Sequence, residues 1–137
     1  MSNHSCNYLL FRCMDFRLKP SVLNELLEVI GCSEGNFDLV SVAGSAKDLL
    51  SERQGEKEFL LKQIELSSKL HHICKVIVLL HDNCGAYGIA DKDEEEETQK
   101  QDLAKIEKII KNNFKDIEFD GFIVKNTSTG DLTLKKV

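Results

Sequence analysis

The feature that most constrains the fold is a run of five apolar residues, Val76–Leu80, that leads directly into His81-Asp82-Asn83-Cys84-Gly85. A continuous apolar run of this length, bounded by polar residues, is typical of a buried strand. In open parallel α/β sheets, ligands bind beyond the carboxyl ends of the strands. We therefore expect His81 and Cys84 to lie in a loop at the ligand-binding end of a buried strand.

Apolar runs alternate with amphipathic segments along the rest of the chain. Helices are expected over about residues 20–31, over residues 46–70 with a break near Gly55, and around an apolar face at residues 103–114. The predicted strands are about residues 7–13, 37–42, 75–80 and 117–124, with a short last strand at 132–136. This order predicts a single α/β domain, residues 1–137, with a mostly parallel sheet of four strands plus a short C-terminal strand and helices on both faces. The polar residues 1–6 are expected to be poorly ordered.

Cys13 also follows an apolar run, Tyr8–Phe11, and completes a candidate metal site with His81 and Cys84. If the two strands are parallel neighbours, the three side chains meet at one edge of the sheet. Thiolate and imidazole ligands suit zinc, and three protein ligands with an open fourth position are the pattern of catalytic zinc sites. We therefore expect one zinc ion per chain. The alternatives are buried structural cysteines and a capped core histidine.

Four motifs resemble the β-class carbonic anhydrases and occur in that family's order. They are Cys13-x-Asp15-x-Arg17, Val42-Ala43-Gly44, His81-x-x-Cys84-Gly85, and Gly121–Val124 followed by Thr129–Leu132. The resemblance implies a β-carbonic anhydrase-like fold with zinc as the cofactor. It also implies that carbon dioxide and bicarbonate are the small-molecule substrates of a reversible hydration.

The same resemblance implies a role for each residue around the metal. Zinc-bound hydroxide is the nucleophile, Asp15 accepts a hydrogen bond from it and orients it, and Arg17 pairs with Asp15 and keeps it ionised. In some members of the family the aspartate instead ligates zinc and displaces the water. Gly44 and Gly85 are candidate substrate-binding residues. Without the metal ligands, Asp15 and Arg17 would be interpreted as an ordinary surface salt bridge.

Three departures from the family pattern concern the substrate pocket. Ser41 and Val42 stand where the family commonly has Arg-Asn, and Phe16 stands where many members have Ser. Few residues precede the first strand, so we expect the family's N-terminal helices, which wrap a partner subunit, and a pocket glutamine from that region to be missing. The alternative function is a zinc-binding protein of the same fold without hydratase activity, acting as a regulatory or interaction module. A hydrolase of a related small molecule, such as carbonyl sulfide or carbon disulfide, is a further alternative.

Charge and composition restrict the partners. The net charge of −5 argues against non-specific binding to nucleic acid or to an anionic membrane. No apolar stretch approaches the roughly 20 residues of a membrane span. The family's shared cleft and the exposed edges of a small sheet predict a homodimer or a higher even oligomer. Reduced cysteines and the lack of a signal-like N-terminus predict a cytoplasmic protein.

Two further clusters each have an ordinary and a sharper interpretation. His71 and His72 end the second predicted helix, where histidines ordinarily interact with the free carbonyls. The sharper interpretation is a metal or proton-shuttle role, at the opposite end of the following strand from His81. The acidic run at residues 91–97 ordinarily predicts a solvated loop leading into a helix, and more sharply a site for a cation or a basic partner.

Overall fold

The computed structural model describes residues 4–137, which form a five-stranded sheet flanked by three α-helices. The strands are β1 (Tyr8–Cys13), β2 (Phe37–Val42), β3 (Lys75–His81), β4 (Glu118–Lys125) and β5 (Thr133–Lys136). The helices are α1 (Pro20–Val29), α2 (Glu56–His71) and α3 (Lys92–Asn113), with a short 3-10 helix at Lys47–Leu50. Residues 1–3 belong to the segment expected to be poorly ordered and lie outside the described residues.

The strand order β2-β1-β3-β4-β5 confirms the predicted fold class. Strands β1 to β4 are parallel, and β5 is antiparallel to β4. The connections run outward from β1 to β2 and then back across to β3, so the direction of winding changes between β1 and β3. Phe11 of β1 lies opposite Val78 of β3. The carboxyl ends of these two strands therefore border the crevice where α/β sheets bind ligands.

Helices cover both faces of the sheet, as the sequence predicted. One face packs against α2 and α3, with Leu103 and Ile106 of α3 in its core, and the other packs against α1 through residues such as Leu27. Strand β3 is buried from Val76 to His81 because both of its faces are covered. Gly121 of β4 allows α3 to lie close, since a Cβ there would be 3.1 Å from a methyl group of Leu103. None of the helices within residues 4–137 has the length and apolar character needed to cross a bilayer.

Two segments differ from their predicted form. The acidic run is not a solvated loop, because Asp91 accepts the N–H of Glu94 at 2.8 Å as an N-cap and the following acids form the first turns of α3. The segment before β1 is ordered at Cys6, whose N–H donates to the carbonyl oxygen of His71 at 3.0 Å. Hydrogen bonds thus hold two segments, one of which was expected to be a solvated loop and the other to be poorly ordered.

Candidate metal centre

The three predicted metal ligands meet at the crevice between β1 and β3. Cys13 is the last residue of β1, His81 is the last residue of β3, and Cys84 lies in the loop that follows. Their sulfur and nitrogen donor atoms all lie within 4.8 Å of one another. All three residues are buried, with exposures of 5%, 1% and 4%. The pairing of parallel strands explains the meeting, because it aligns the two strand ends that carry Cys13 and His81.

His81 is held in one tautomer. Its Nδ1 lies 2.7 Å from the carbonyl oxygen of Asp82, and because a carbonyl oxygen can only accept, Nδ1 carries the proton. Its Nε2 therefore presents a lone pair, and this buried atom has no hydrogen-bond partner within residues 4–137. A buried polar atom without a partner is costly, and an Nδ1–H bonded to a carbonyl is the usual orientation of a metal-ligating histidine. The ring is therefore prepared to bind a cation through Nε2.

The two thiols beside His81 influence each other's ionisation. The neighbouring Cys84 thiol lowers the pKa of Cys13, whereas the same contact, together with burial, raises the pKa of Cys84. Backbone N–H groups of Gly44 and Asp15 also donate to the Cys13 sulfur and lower its pKa. The pair thus loses its first proton easily, but loss of the second places two thiolates side by side. A bound cation would stabilise that doubly ionised form.

Asp15 and Arg17 form a locked pair beside the three ligands. The Arg17 guanidinium donates from Nε to Oδ1 at 3.0 Å and from Nη2 to Oδ2 at 2.8 Å, and its backbone N–H donates to Oδ1 at 2.9 Å. The hydrogen bonds from Arg17 lower the pKa of Asp15 to about 2. Oδ2 of Asp15 also lies 3.7 Å from Nε2 of His81. The structure therefore places an ionised carboxylate against the ligand cluster.

Hydrogen bonds from distant segments fix the loop that carries Cys84. Arg17 donates to the side-chain and backbone oxygens of Asn83 at 2.7 and 2.9 Å. The carboxylate of Asp82 accepts the N–H groups of Asn126 and Thr127, each at 2.9 Å. The side chain of Arg17 thus joins the Asp15 carboxylate to the loop that carries Cys84.

Glu95 and Gln99 of α3 support the same loop, and neither was predicted from the sequence. The buried carboxylate of Glu95 accepts the N–H of Asn83 at 2.7 Å and the N–H of Cys84 at 2.9 Å. Gln99 donates from Nε2 to the carbonyl oxygen of His81 at 2.8 Å. A pair of acidic and amide residues one helical turn apart was the only available signal, and the surrounding acidic run obscured it.

The two glycines proposed to contact substrate have different surroundings. Gly44 has a φ of +77°, and a Cβ there would lie 3.2 Å from the Cβ of Lys47 and 3.3 Å from that of Ala86. Its N–H also donates to Cys13, so a local structural need explains this glycine. A Cβ at Gly85 would have no neighbouring atom within 4 Å, so no close approach requires the glycine. Phe16, next to Asp15, is 86% exposed and does not line the chain's own interior.

The fold and the cluster together define an α/β protein with a candidate Cys₂His metal centre between the central strands of its sheet. Residues 3–132 match the model of a protein family described as "Putative carbonic anhydrase", and the chain belongs to that family. The resemblance to the β-class carbonic anhydrases is thereby confirmed.

Two further relatives and several solved structures are similar to this chain. An uncharacterized protein of Rickettsia bellii is 32% identical over 124 residues, covering 85% of this chain and 74% of the relative. An uncharacterized protein of Rickettsia conorii is 31% identical over 124 residues, covering 85% of this chain and 66% of the relative. Tetrameric β-carbonic anhydrases of Sordaria macrospora superpose with a TM-score of 0.65 at 12% identity, covering 96% of this chain and 81% of the other. A carbonic anhydrase from Glaciozyma antarctica superposes with a TM-score of 0.56 at 21% identity, covering 93% of this chain and 80% of the other. These structural matches establish the fold.

Proposed function

We propose that this protein catalyses the zinc-dependent, reversible hydration of carbon dioxide to bicarbonate. The observation that carries the proposal is the unpartnered Nε2 of His81, which faces two thiols beside a carboxylate locked by arginine. A structural cysteine pair would not need a neighbouring histidine with a bare lone pair. Membership of the carbonic anhydrase family supports the same activity.

Cys13, His81 and Cys84 would hold the zinc ion. The donor set fits, because two sulfurs and one imidazole nitrogen match the preferences of zinc and leave its fourth position open. Bound there, zinc would acidify a water molecule and polarise it for attack on carbon dioxide. Gly44 supports this arrangement through its N–H bond to Cys13, and we retain Gly85 as a candidate substrate contact.

Asp15 would orient the attacking group through a hydrogen bond to its carboxylate. With a pKa of about 2, Asp15 stays ionised at neutral pH and can only accept. Arg17 engages both carboxylate oxygens and so opposes the movement of Asp15 into the metal coordination shell. We therefore propose that the state in which Asp15 pairs with Arg17 predominates over the state in which it ligates zinc.

The alternative of a zinc-binding protein without hydratase activity is favoured by one observation. Val42, which stands at the last position of β2 opposite Cys13, offers no polar side chain where the family commonly has Asn. Hydrolysis of carbonyl sulfide or carbon disulfide would use the same ligands and the same Asp15. Assays with these substrates separate the three functions.

We also propose that the protein is a homodimer or a higher even oligomer in the cytoplasm. The free edge of β2 and the exposed Phe16 and Met14 beside the candidate site support the assembly. The five cysteines are all free, which supports a reducing compartment.

The experiment that tests the proposal combines metal analysis with stopped-flow hydration of carbon dioxide. The purified protein is expected to contain about one zinc ion per chain at this site and to hydrate carbon dioxide across roughly pH 7 to 9. Full zinc occupancy here in a His81→Ala, Cys84→Ser double variant would refute the ligand assignment. Zinc without hydration would favour the alternative function.

A further inference from the structure

A second cluster of metal-binding side chains lies at the opposite end of the sheet from the candidate centre. It contains Cys6, just before β1, Asp38 near the start of β2, and His71 at the end of α2. One donor atom from each of the three lies within 4.8 Å of the other two. All three residues are partly buried, and they line a cavity of about 180 Å³ that also contacts His4. The cluster therefore combines a thiol, an imidazole and a carboxylate with a route for an ion to enter.

His71 of this cluster faces a second imidazole, that of His4, through a ring nitrogen. Nε2 of His71 lies 3.3 Å from Nε2 of His4, and the rings are nearly perpendicular, at 83°. Two bare lone pairs repel at this distance, so either a proton or a cation must lie between them. For zinc bonds of 2.0–2.1 Å, tetrahedral geometry separates two nitrogen ligands by about 3.3 Å. The observed spacing therefore suits shared coordination as well as a shared proton.

Asp38 fixes the orientation of His71. Its Oδ2 lies 2.6 Å from Nδ1 of His71 and accepts the hydroxyl of Ser67 at 2.6 Å. A carboxylate on Nδ1 keeps the proton there and leaves the lone pair on Nε2, the nitrogen that faces His4. Carboxylate–histidine pairs of this kind support metal ligands in many proteins. The supporting interaction is thus built into the fold of the chain itself.

Backbone contacts bring Cys6 to the cluster independently of a metal. The Cys6 N–H donates to the carbonyl oxygen of His71 at 3.0 Å, and its thiol is directed at the carbonyl oxygen of Tyr8 at 3.6 Å. Ion binding would replace the second of these contacts, with the thiol proton released to solvent. The segment before β1 is therefore already held against the end of α2.

We propose that Cys6, His71 and His4 bind a second divalent ion of the zinc type, with Asp38 orienting His71. The site is separate from the candidate catalytic centre, because the two lie beyond opposite ends of the parallel strands. An ion there would join the N-terminal segment to α2, and its role would be structural. A metal-binding role for His71 is thereby favoured over simple capping of the helix.

Equilibrium dialysis against zinc, followed by metal analysis of tag-free protein, tests the site. We expect about two zinc ions per chain in the unsubstituted protein and about one in a His4→Ala, Cys6→Ser double variant. The matched control is His72→Asn, Cys74→Ser, which alters an exposed histidine and an exposed cysteine nearby and should retain both ions. Asn at position 72 also tolerates the positive φ of 57° found there.

A second variant tests whether loss of the ion in the double variant is caused by misfolding. Asp38→Asn leaves all proposed ligands in place, and it should weaken the second site about 10- to 100-fold while the first ion stays bound. Cobalt substitution gives an independent readout, since loss of one thiolate ligand should reduce the sulfur-to-cobalt absorption in the His4→Ala, Cys6→Ser variant. An equal zinc content in the unsubstituted protein and in the His4→Ala, Cys6→Ser variant overturns the proposal, as does equal loss of one ion in the test and control variants. If only the first site failed to bind zinc, the unsubstituted protein would contain about one ion and the His4→Ala, Cys6→Ser variant none. The difference of one ion that tests the second site would therefore remain.

Discussion

At the scale of single residues, the most informative pair is Asp15 and Arg17. Arg17 holds both oxygens of the Asp15 carboxylate and also binds the loop through Asn83. The pair thus combines an electrostatic role, which keeps Asp15 ionised, with a positional role, which sets its distance from His81. A substitution that preserves shape but removes charge distinguishes the two roles.

Asp15→Asn should retain zinc and lose about 100-fold or more in the rate of carbon dioxide hydration. Asn is nearly isosteric, but its amide can present a donor where the attacking group needs an acceptor. Zinc content, melting temperature and hydration rate should be measured on one preparation, with the exposed Asp116→Asn as the control. Unchanged turnover at full zinc occupancy would mean that Asp15 has no catalytic role and acts only as a surface salt-bridge residue.

Glu95→Gln should destabilise the metal-ligand loop. The substitution replaces a carboxylate that accepts two backbone N–H groups with an amide that can present a donor to one of them. We expect a loss of about 2 kcal/mol in the free energy of unfolding and weaker zinc retention, by roughly 10-fold or more. Urea unfolding and competition with a chelator measure the two effects. Glu97→Gln, on the exposed side of the same helix, should change neither; similar effects from both variants would contradict the role of Glu95.

At the scale of secondary-structure elements, the strands were easier to predict from the sequence than the start of α3. The ends of β1 and β3 were predictable because apolar runs mark buried strands, and Cys13 and His81 follow those runs directly. The start of α3 was not predictable, because Asp91 and Glu95 are both acidic residues of the same charged run. One is an exposed cap, and the other is a buried acceptor for the loop. Only the packing of α3 against that loop tells them apart.

Glu96 of α3 joins the helix to the far edge of the sheet. It accepts hydrogen bonds from Lys125 of β4 at 2.8 Å and Lys135 of β5 at 3.0 Å, and these lower its pKa to about 2. Because the folded pKa lies below the ordinary value of 4.5, the contribution of Glu96 to stability is present above about pH 4.5. It is lost as the pH falls toward 2.

Glu96→Gln should therefore lower the urea midpoint at pH 7, and the gap from the unsubstituted protein should close between about pH 4.5 and 2. Urea titrations at a series of pH values measure this gap. The control is Glu97→Gln, which lacks the lysine partners and should show little gap at any pH. A gap for Glu96→Gln that is constant down to pH 2 would mean that the two lysines do not stabilise the carboxylate.

At the scale of the whole molecule, the two edges of the sheet are protected differently. At one edge, β5 is only four residues long and carries Lys135 and Lys136, which discourage pairing with another strand. At the other edge, no further strand within residues 4–137 pairs with β2, and its Leu39 is 54% exposed. The unprotected edge is thus the better candidate for subunit contact.

Light scattering at micromolar concentration should therefore give a dimer or a larger even assembly. Leu39→Lys should shift that assembly toward smaller species, because a charge on an edge strand opposes pairing. Val29→Lys, at an exposed position on the end of α1, is the matched control and should leave the mass unchanged. A clean monomer for the unsubstituted protein would contradict the predicted assembly.

The separation of the site's parts along the chain also bears on how the protein is made. Arg17 and Asn83 are 66 residues apart, and His81 lies 46 residues before Thr127. Parallel strands cannot pair until their crossover connections exist, and such non-local contacts form slowly. During synthesis Cys13 therefore leaves the ribosome long before either of its partner ligands. A nascent chain that stops before Asn126 would carry all three candidate ligands and still lack the two backbone N–H groups that the Asp82 carboxylate accepts, so we expect the candidate site to be complete only once Thr127 has been made.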